Sequence, residues 1–232
     1  MPSRGKRYTA VAATRPAEEL LPVEAAVAYV KSAATAKFDE SIEACYLLGI
    51  DPKKSDQNVR GTLTLPHGTG RTVRIAVVAE GEGAEAAREA GADEVGGQDL
   101  VEKIDGGWSD FDVLCATPDM MRTVARLGKK LGPRMPNAKS GTVSPDIGGV
   151  VRDLKRGQIE YRANRGGVVQ SIVGKASFAD EHLAENFRAL TDALVRSKPA
   201  AAKGLYLKSI TLSSTMGPSV RVDSQSAAGR RG

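Results

Sequence analysis

The sequence predicts an α/β protein of two domains, in which both chain ends build one α+β domain and a smaller αβ domain is inserted between them. Three observations carry this reading. Residues 68–157 run strand, helix, strand, helix at the spacing of a small parallel unit, whereas the flanking segments mix alternating strands with amphipathic helices. The charge divides at the same places: residues 1–67 and 158–232 together carry 20 basic and 14 acidic side chains, and residues 68–157 carry 13 and 14. Glycine-rich turns, Pro66–Gly70 and Gly157, mark the two joins and are the expected hinges. The expected domains are therefore 1–67 with 158–232, and 68–157.

Each element follows from its pattern. "PVEAAVAYVKSAA" predicts the first clear helix, with Pro22 at its start and Val23, Val27 and Val30 on one face. "KFDESIEACYLLGI" alternates Ile42, Ala44, Tyr46, Leu48 and Ile50, the period of a half-buried strand. "DPKKSDQNVRG" is a polar loop, and "TLTLP" returns as a strand. "VRIAVVA" and "FDVLCAT" are short continuous apolar runs. After them come an alanine-rich helix, "GAEAAREAGADEV", and a second helix, "PDMMRTVARLGKKLG". "GQIEYRANRGGVVQSIVGKASF" reads as two strands flanking a glycine turn. "DEHLAENFRALTDALVRSKP" reads as a helix with Asp180 as N-cap and Leu183, Phe187, Leu190 and Leu194 in line. "GLYLKSITLSSTMGPSVRVD" supplies strands broken by a Met-Gly-Pro turn, and the tail from Ser224 is expected to be disordered.

Composition narrows the function. With 41% hydrophobic and 4% aromatic residues in 232, the core is expected to be aliphatic and the protein soluble. No apolar run approaches the roughly 18 residues that span a bilayer. The apolar stretch near the N-terminus is broken by Thr14, Arg15 and Pro16, too early for an export signal. Two distant cysteines, Cys45 and Cys115, and two histidines, His67 and His182, form neither a zinc pattern nor a disulfide framework, which points to a reduced, cytosol-like compartment and to no metal or cofactor.

Catalytic readings fail in turn. Gly81, Gly83 and Ala86 follow a strand and open a helix, in the manner of a dinucleotide fingerprint, which is the basis of an alternative reading as a nucleotide-dependent enzyme. Glu80, Glu82 and Glu85 crowd that turn and cancel the positive potential that a pyrophosphate needs. His67 reads as a loop or hinge residue, His182 as a surface residue and Cys115 as a buried strand residue. Residues 80–119 hold 12 acidic and 2 basic side chains scattered over two elements, whereas residues 120–157 hold 2 and 9. "LGKKLGPRMPNAKSGTV" concentrates those cations, and its prolines make "GPRMPN" a rigid connector whose cations either face the acidic half of the same domain, the expected role, or touch RNA weakly.

What remains is anion recognition. In "STMGPS", Gly217 and Pro218 force a tight turn that exposes Thr215 and Met216 at a strand end, offering a hydroxyl, a thioether and open backbone to a nucleic acid. "ATAKFDES" sets Lys37 beside Phe38, a pairing that joins phosphate contact to stacking. Arg162, Arg165 and Lys175 lie on the strands that follow Gly157.

Together these strings resemble the bacterial-type ribosomal protein L-one family, the universal large-subunit stalk protein family. The resemblance runs to about Asp223 through "ATAKFDES", "GIDPKKSDQNVRGTLTLPHGTG", "ATPDMM", "LGKKLGPRMPN", "SGTV", "VGKASF" and "STMGPSV". It implies a split α+β domain I that grips ribosomal RNA and an inserted Rossmann-like domain II carried on two hinge strands. It implies a monomer when free and a place on the ribosome, cytoplasmic or organellar, with no membrane partner. Its expected partners are the rRNA stalk junction, exit-site tRNA whose release it assists, and its own operon mRNA, whose translation it represses. The family's RNA-contacting positions fall on Lys37, Phe38, Ser41, Ser209, Thr215, Met216 and Gly217, with Arg165 where the family usually has lysine; Lys175 joins them as a nearby cation. Two departures stand out. Arg134 runs directly into Met135, two residues short of the family pattern, with Ala138 in place of proline, and Gln170 stands where many relatives carry histidine.

Overall fold

A computed structural model describes residues 5–16 and 18–227. In chain order it runs α1 (Lys6–Ala13), α2 (Val23–Ala33), β1 (Ser41–Leu48), β2 (Arg60–Thr64), β3 (Ile75–Val78), α3 (Glu82–Glu89), β4 (Glu94–Gly96), α4 (Gln98–Asp105) and β5 (Val113–Ala116). There follow α5 (Met121–Val124), α6 (Gly128–Leu131), α7 (Ile147–Arg156), β6 (Gln158–Arg162), β7 (Val168–Lys175), α8 (Asp180–Arg196), β8 (Leu207–Ser214), β9 (Val220–Val222) and α9 (Ser224–Ala227). The chain divides into two compact units, residues 1–70 with 159–232 and residues 71–158.

The terminal unit is built on a four-stranded sheet in the order β7-β1-β8-β9, all neighbours antiparallel. Period two decides its faces: Ile42, Ala44, Tyr46 and Leu48 are buried, while the residues between them are not. The buried face packs with Val23, Val27 and Val30 of α2 and with Leu183, Phe187, Leu190 and Leu194 of α8 in one core. Tyr46 stacks on Phe187 at 5.9 Å, and its hydroxyl meets that of Thr191 at 3.0 Å, so the one polar atom of a fully buried ring is satisfied. Strands β2 and β6 form a separate two-stranded sheet.

The central unit holds a three-stranded parallel sheet, β4-β3-β5. All four residues of β3 are buried, and they alternate between two cores. Ala76 and Val78 join Leu100 and Ile104 of α4 with Leu127 and Leu131. Ile75 and Val77 join Ala87 of α3 and Val151 of α7. A parallel sheet covered on both faces needs such a continuous apolar run.

Several local expectations require correction. "GAEAAREAGADEV" is not all helix: α3 ends before Gly91, whose φ of 88° suits only glycine, and Glu94–Gly96 pairs beside β3. The single helix expected over 118–132 is broken by a 3₁₀ turn at Ala125–Leu127, just before Gly128, a poor helix former. The two strands expected on either side of Asn164–Gly167 are present, and they enter different sheets. Asp180 is not the cap of α8. Ala179 holds that place, and Asp180 instead binds Lys31 at 2.7 Å. Ser224–Ala227 forms a helical turn with Ala227 buried; the rest of the expected disordered tail lies outside the described residues. Helices α1, α4 and α7 have no counterpart among the elements expected from sequence.

Candidate nucleic-acid interface

The open face of the terminal sheet follows from the same alternation that buries the other. Ser41, Glu43, Cys45 and Leu47 point away from the core. Glu43 lies opposite Ile172 and Ser213, Cys45 opposite Gln170 and Thr211, and Leu47 opposite Val168 and Ser209. Burial raises the Cys45 thiol above its ordinary range, against a weaker lowering effect of Gln170.

One end of this face is organised by a residue that sequence reasoning misses. Glu40 is 1% exposed. Its carboxylate accepts the amides of Ala36 and Met216, each at 2.8 Å. Burial alone would raise its carboxyl, but the Met216 and Ala36 amides, helped by Ser214 and Arg7, more than offset that and hold it below the usual range. One buried carboxylate thus joins the loop that carries Lys37 and Phe38 to the turn that carries Met216.

The neighbouring bonds complete the cluster. The Ser41 amide donates to the Thr215 hydroxyl at 3.0 Å, and the Thr215 amide donates to the Ser41 carbonyl at 3.0 Å. Lys175 donates to the Ser41 hydroxyl at 2.9 Å. Asp39 accepts the Ser177 amide at 3.1 Å and its hydroxyl at 2.8 Å, and the Ala176 amide donates to the Glu40 carbonyl at 2.8 Å. From α1, Arg7 reaches the Thr35 hydroxyl at 2.9 Å and the Met216 carbonyl at 3.2 Å. Gly217 is required by close approach: a Cβ there would collide with the Ser214 hydroxyl and crowd the Ala33 carbonyl. What the cluster presents outward is Lys37, Thr215, a Phe38 ring 55% exposed and a Met216 side chain 50% exposed. Two bare apolar side chains on two segments so firmly braced are placed to be touched.

The structure therefore brings Lys37, Phe38, Ser41, Lys175, Thr215, Met216 and Gly217 to one end of the sheet. It does not bring Ser209 and Arg165 there. Ser209 faces the same side but lies opposite Leu47, six residues along β8 from Thr215, or about 20 Å. Arg165 sits in the exposed turn before β7, also at the Leu47 end. Glu40, Arg7, Asp39 and Ser177 escape sequence reasoning because their partners lie up to 209 residues away. The only local hint is an acid set inside a segment otherwise read as cationic.

The other candidates fall into structural roles. Glu80, Glu82 and Glu85 stay exposed around Gly81. Burial pushes the Cys115 thiol up to about 12. His67 stacks on His182 at 3.9 Å and bonds Glu185 at 2.5 Å, while its amide donates to the buried Asn186. Of the cations in 127–143, Lys130 binds Asp105 at 2.5 Å, and Arg134 donates to the carbonyls of Ser109 and Phe111. Those two face the acidic half of their own unit, as the sequence suggests. The shortened loop is closed by Asn137, whose side chain accepts the Lys139 amide at 2.9 Å, with Ala138 where the family pattern has proline. No group of His, Cys, Asp or Glu able to hold a metal occurs among the described residues.

Comparison with known proteins shows the family. Residues 30–218 match the family model described as the Ribosomal protein L1p/L10e family. The chain is 55% identical over 222 residues to the large ribosomal subunit protein uL1 of Cutibacterium acnes, covering 95% of this chain and 96% of that protein. It is 54% identical over 230 residues to the uL1 of Methylobacillus flagellatus, covering 98% and 100%. With the uL1 of Neisseria meningitidis it shares 52% identity over 223 residues, 95% and 96% of the two chains.

Proposed function

The chain belongs to the ribosomal protein L1p/L10e family, structural proteins of the large ribosomal subunit and not enzymes, and on that premise we propose how it works there. The terminal unit binds large-subunit rRNA at the mobile stalk junction. Lys37 and Lys175 meet phosphates, Phe38 and Met216 lie against bases or sugars, and the Thr215–Gly217 backbone fits the groove. The observation that supports this most is the cluster around Glu40, which fixes three sequence-distant segments into one presentable surface. The protein works in the cytoplasm on the ribosome.

Domain I (1–67 with 158–232) is the RNA grip, and domain II (68–157) moves on the connectors near Pro66–Gly70 and Gly157. That mobility assists release of deacylated tRNA from the exit site. The same surface binds a like fold in the protein's own operon mRNA and represses its translation. The free protein is a monomer. Binding of a stalk-junction RNA, measured by filter retention in the full chain, should fall when Thr215 or Met216 becomes Ala, with no loss on an unrelated duplex. Equal losses on both RNAs would sink the reading of a specific site.

A further inference from the structure

Resting on the reading that the Glu40 cluster grips RNA, we propose that RNA bound there tightens the hold of the terminal unit on the start of the first connector, residues 66–70. The link is the turn Lys175–Phe178 at the end of β7, which touches both. Toward the cluster, Lys175 donates to the Ser41 hydroxyl at 2.9 Å, and the Ala176 amide donates to the Glu40 carbonyl at 2.8 Å. Ser177 gives its amide and its hydroxyl to the two carboxylate oxygens of Asp39. Toward the connector, a Cβ on Gly70 would lie 2.8 Å from Cγ of Lys175 and 2.9 Å from the Phe178 ring. The Gly70 backbone therefore rests on both side chains, at a φ of 71° that suits glycine. Lys175 alone spans the distance, with its stem under Gly70 and its ammonium at Ser41.

A second hold acts on the same segment. Asn186 of α8 is fully buried, and its side chain accepts the His67 amide at 3.0 Å. The same side chain donates to the Gly68 carbonyl at 2.9 Å and to the Val173 carbonyl of β7 at 2.8 Å. A buried amide is costly without its bonds, so the three tend to be kept or lost together. The bond from the His67 ring to Glu185 is exposed and adds less. Past Gly70 the chain is held inside the central unit, where Asp112 pairs with Arg71 at 2.8 Å and accepts the Arg74 amide at 3.1 Å. Residues 66–70 are thus fixed to the terminal unit only as firmly as Asn186 and the Lys175–Phe178 turn hold them.

The coupling needs no change of fold. The Lys175 ammonium shares its bonds between the Ser41 hydroxyl and, at 3.4 Å, the Asp39 carbonyl. A phosphate at the cluster makes a stronger, charge-assisted bond and fixes the long side chain. Rotamer freedom lost at that step is not lost again when Gly70 seats on the stem, so binding and seating favour each other. Linkage makes the effect mutual. Whatever loosens the connector must weaken RNA binding by the factor with which RNA tightens the connector. In this way the protein's grip on RNA sets where its free chain begins, at the junction of Gly70 and Arg71.

Hydrogen exchange in the full chain, with and without saturating stalk-junction RNA, reads the coupling at the His67 amide. The reference is the Leu21 amide, which donates to the Arg221 carbonyl at 3.0 Å beside β9, the sheet edge opposite β7. RNA should slow His67 by about fivefold or more beyond any slowing of Leu21. Gly70→Ala and Asn186→Ala, neither of them in the cluster, should lower junction-RNA affinity by a like factor while circular dichroism shows the fold retained. Lys175→Met keeps the stem and drops the ammonium. It should leave His67 exchange without RNA unchanged and abolish the response to RNA. Equal slowing of His67 and Leu21 would mean global stabilisation alone and overturn the proposal. So would parental affinity in a folded Gly70→Ala protein, or an undiminished response in Lys175→Met. If Thr215→Ala and Met216→Ala leave junction binding intact, the reading of the site itself fails. If they lower it and His67 stays unresponsive, only the coupling fails.

Discussion

Strands Ser41–Leu48 and Ile75–Val78 are both rich in apolar residues, yet only the first can meet a partner. In the terminal unit the helices cover one face of the sheet, and every second residue of β1 stays open. In the central unit helices lie on both faces, so β3 has nothing left to offer. The cations differ less sharply: the central unit also leaves Arg122, Arg126, Lys129 and Lys139 exposed, and the terminal unit pairs Lys31, Arg60, Arg188 and Arg221. Lys103, Lys130 and Lys155 of the central unit pair with Glu94, Asp105 and Asp93 of that unit. Lys37, Lys53 and Lys203 of the terminal unit stand exposed. A unit's affinity for a polyanion is therefore set by where its cations are left unengaged on an open surface, together with the contrast in net charge between +6 and −1.

The largest expected effects test whether the units have separate cores. Phe187→Ala should destabilise the terminal unit by about 3–5 kcal/mol, and Leu114→Ala the central unit by about 2–5 kcal/mol. Hydrogen exchange should show each loss confined to its own unit; spread of either loss to both would break the comparison.

Removing the carboxylate at the site comes next. Glu40→Ala leaves two part-buried amides without their acceptor, at about 1 kcal/mol or more, and should also cost junction-RNA affinity. Glu40 adds a pH signature. Its carboxyl is held below the ordinary value of 4.5, so its stabilising effect is full above that pH and is lost as pH falls through the lowered value. Glu40→Gln should be most destabilising near neutral pH, and its melting temperature should approach that of the parent in acid. A gap that stays constant with pH would show that the charge is irrelevant.

Smaller changes sharpen the contrast in binding. Met216→Ala should lower junction-RNA affinity while shifting stability by no more than about 0.5 kcal/mol, since the side chain is half exposed. Binding should also weaken on the order of 10³–10⁵-fold between about 50 and 200 mM salt if 6–10 phosphates are contacted, by analogy with DNA systems. Smallest of all, Lys130→Ala removes an exposed ion pair worth about 0–1 kcal/mol and should leave RNA affinity unchanged. A drop in RNA binding there would mean that this cation is not held internally after all.

Periodicity makes much of the fold legible. The alternation of Ile42 to Leu48, the continuous run Ile75–Val78 and the line Leu183, Phe187, Leu190 and Leu194 each describe a surface that water must leave, and each is buried as read. Short elements escape. Glu94–Gly96 has three residues, too few to show a period. Ile147–Arg156 carries two glycines in its first turn, and a Cβ on Gly148 would crowd the Ala86 carbonyl at 3.2 Å. Motifs expose the outward half of the candidate site, Lys37 and Phe38 with Thr215, Met216 and Gly217. They do not expose Glu40 as its support, nor the distance that separates Arg165 and Ser209 from it.

By itself the sequence determined the fold class, the family and the segments that carry charge, because hydrophobic period and turn chemistry are local properties of the chain. Only the tertiary structure decided which cations stay free and which side chains share a surface. Those outcomes depend on bonds between residues as far apart as Arg7 and Met216, a separation at which neighbouring residues carry no trace of the partner.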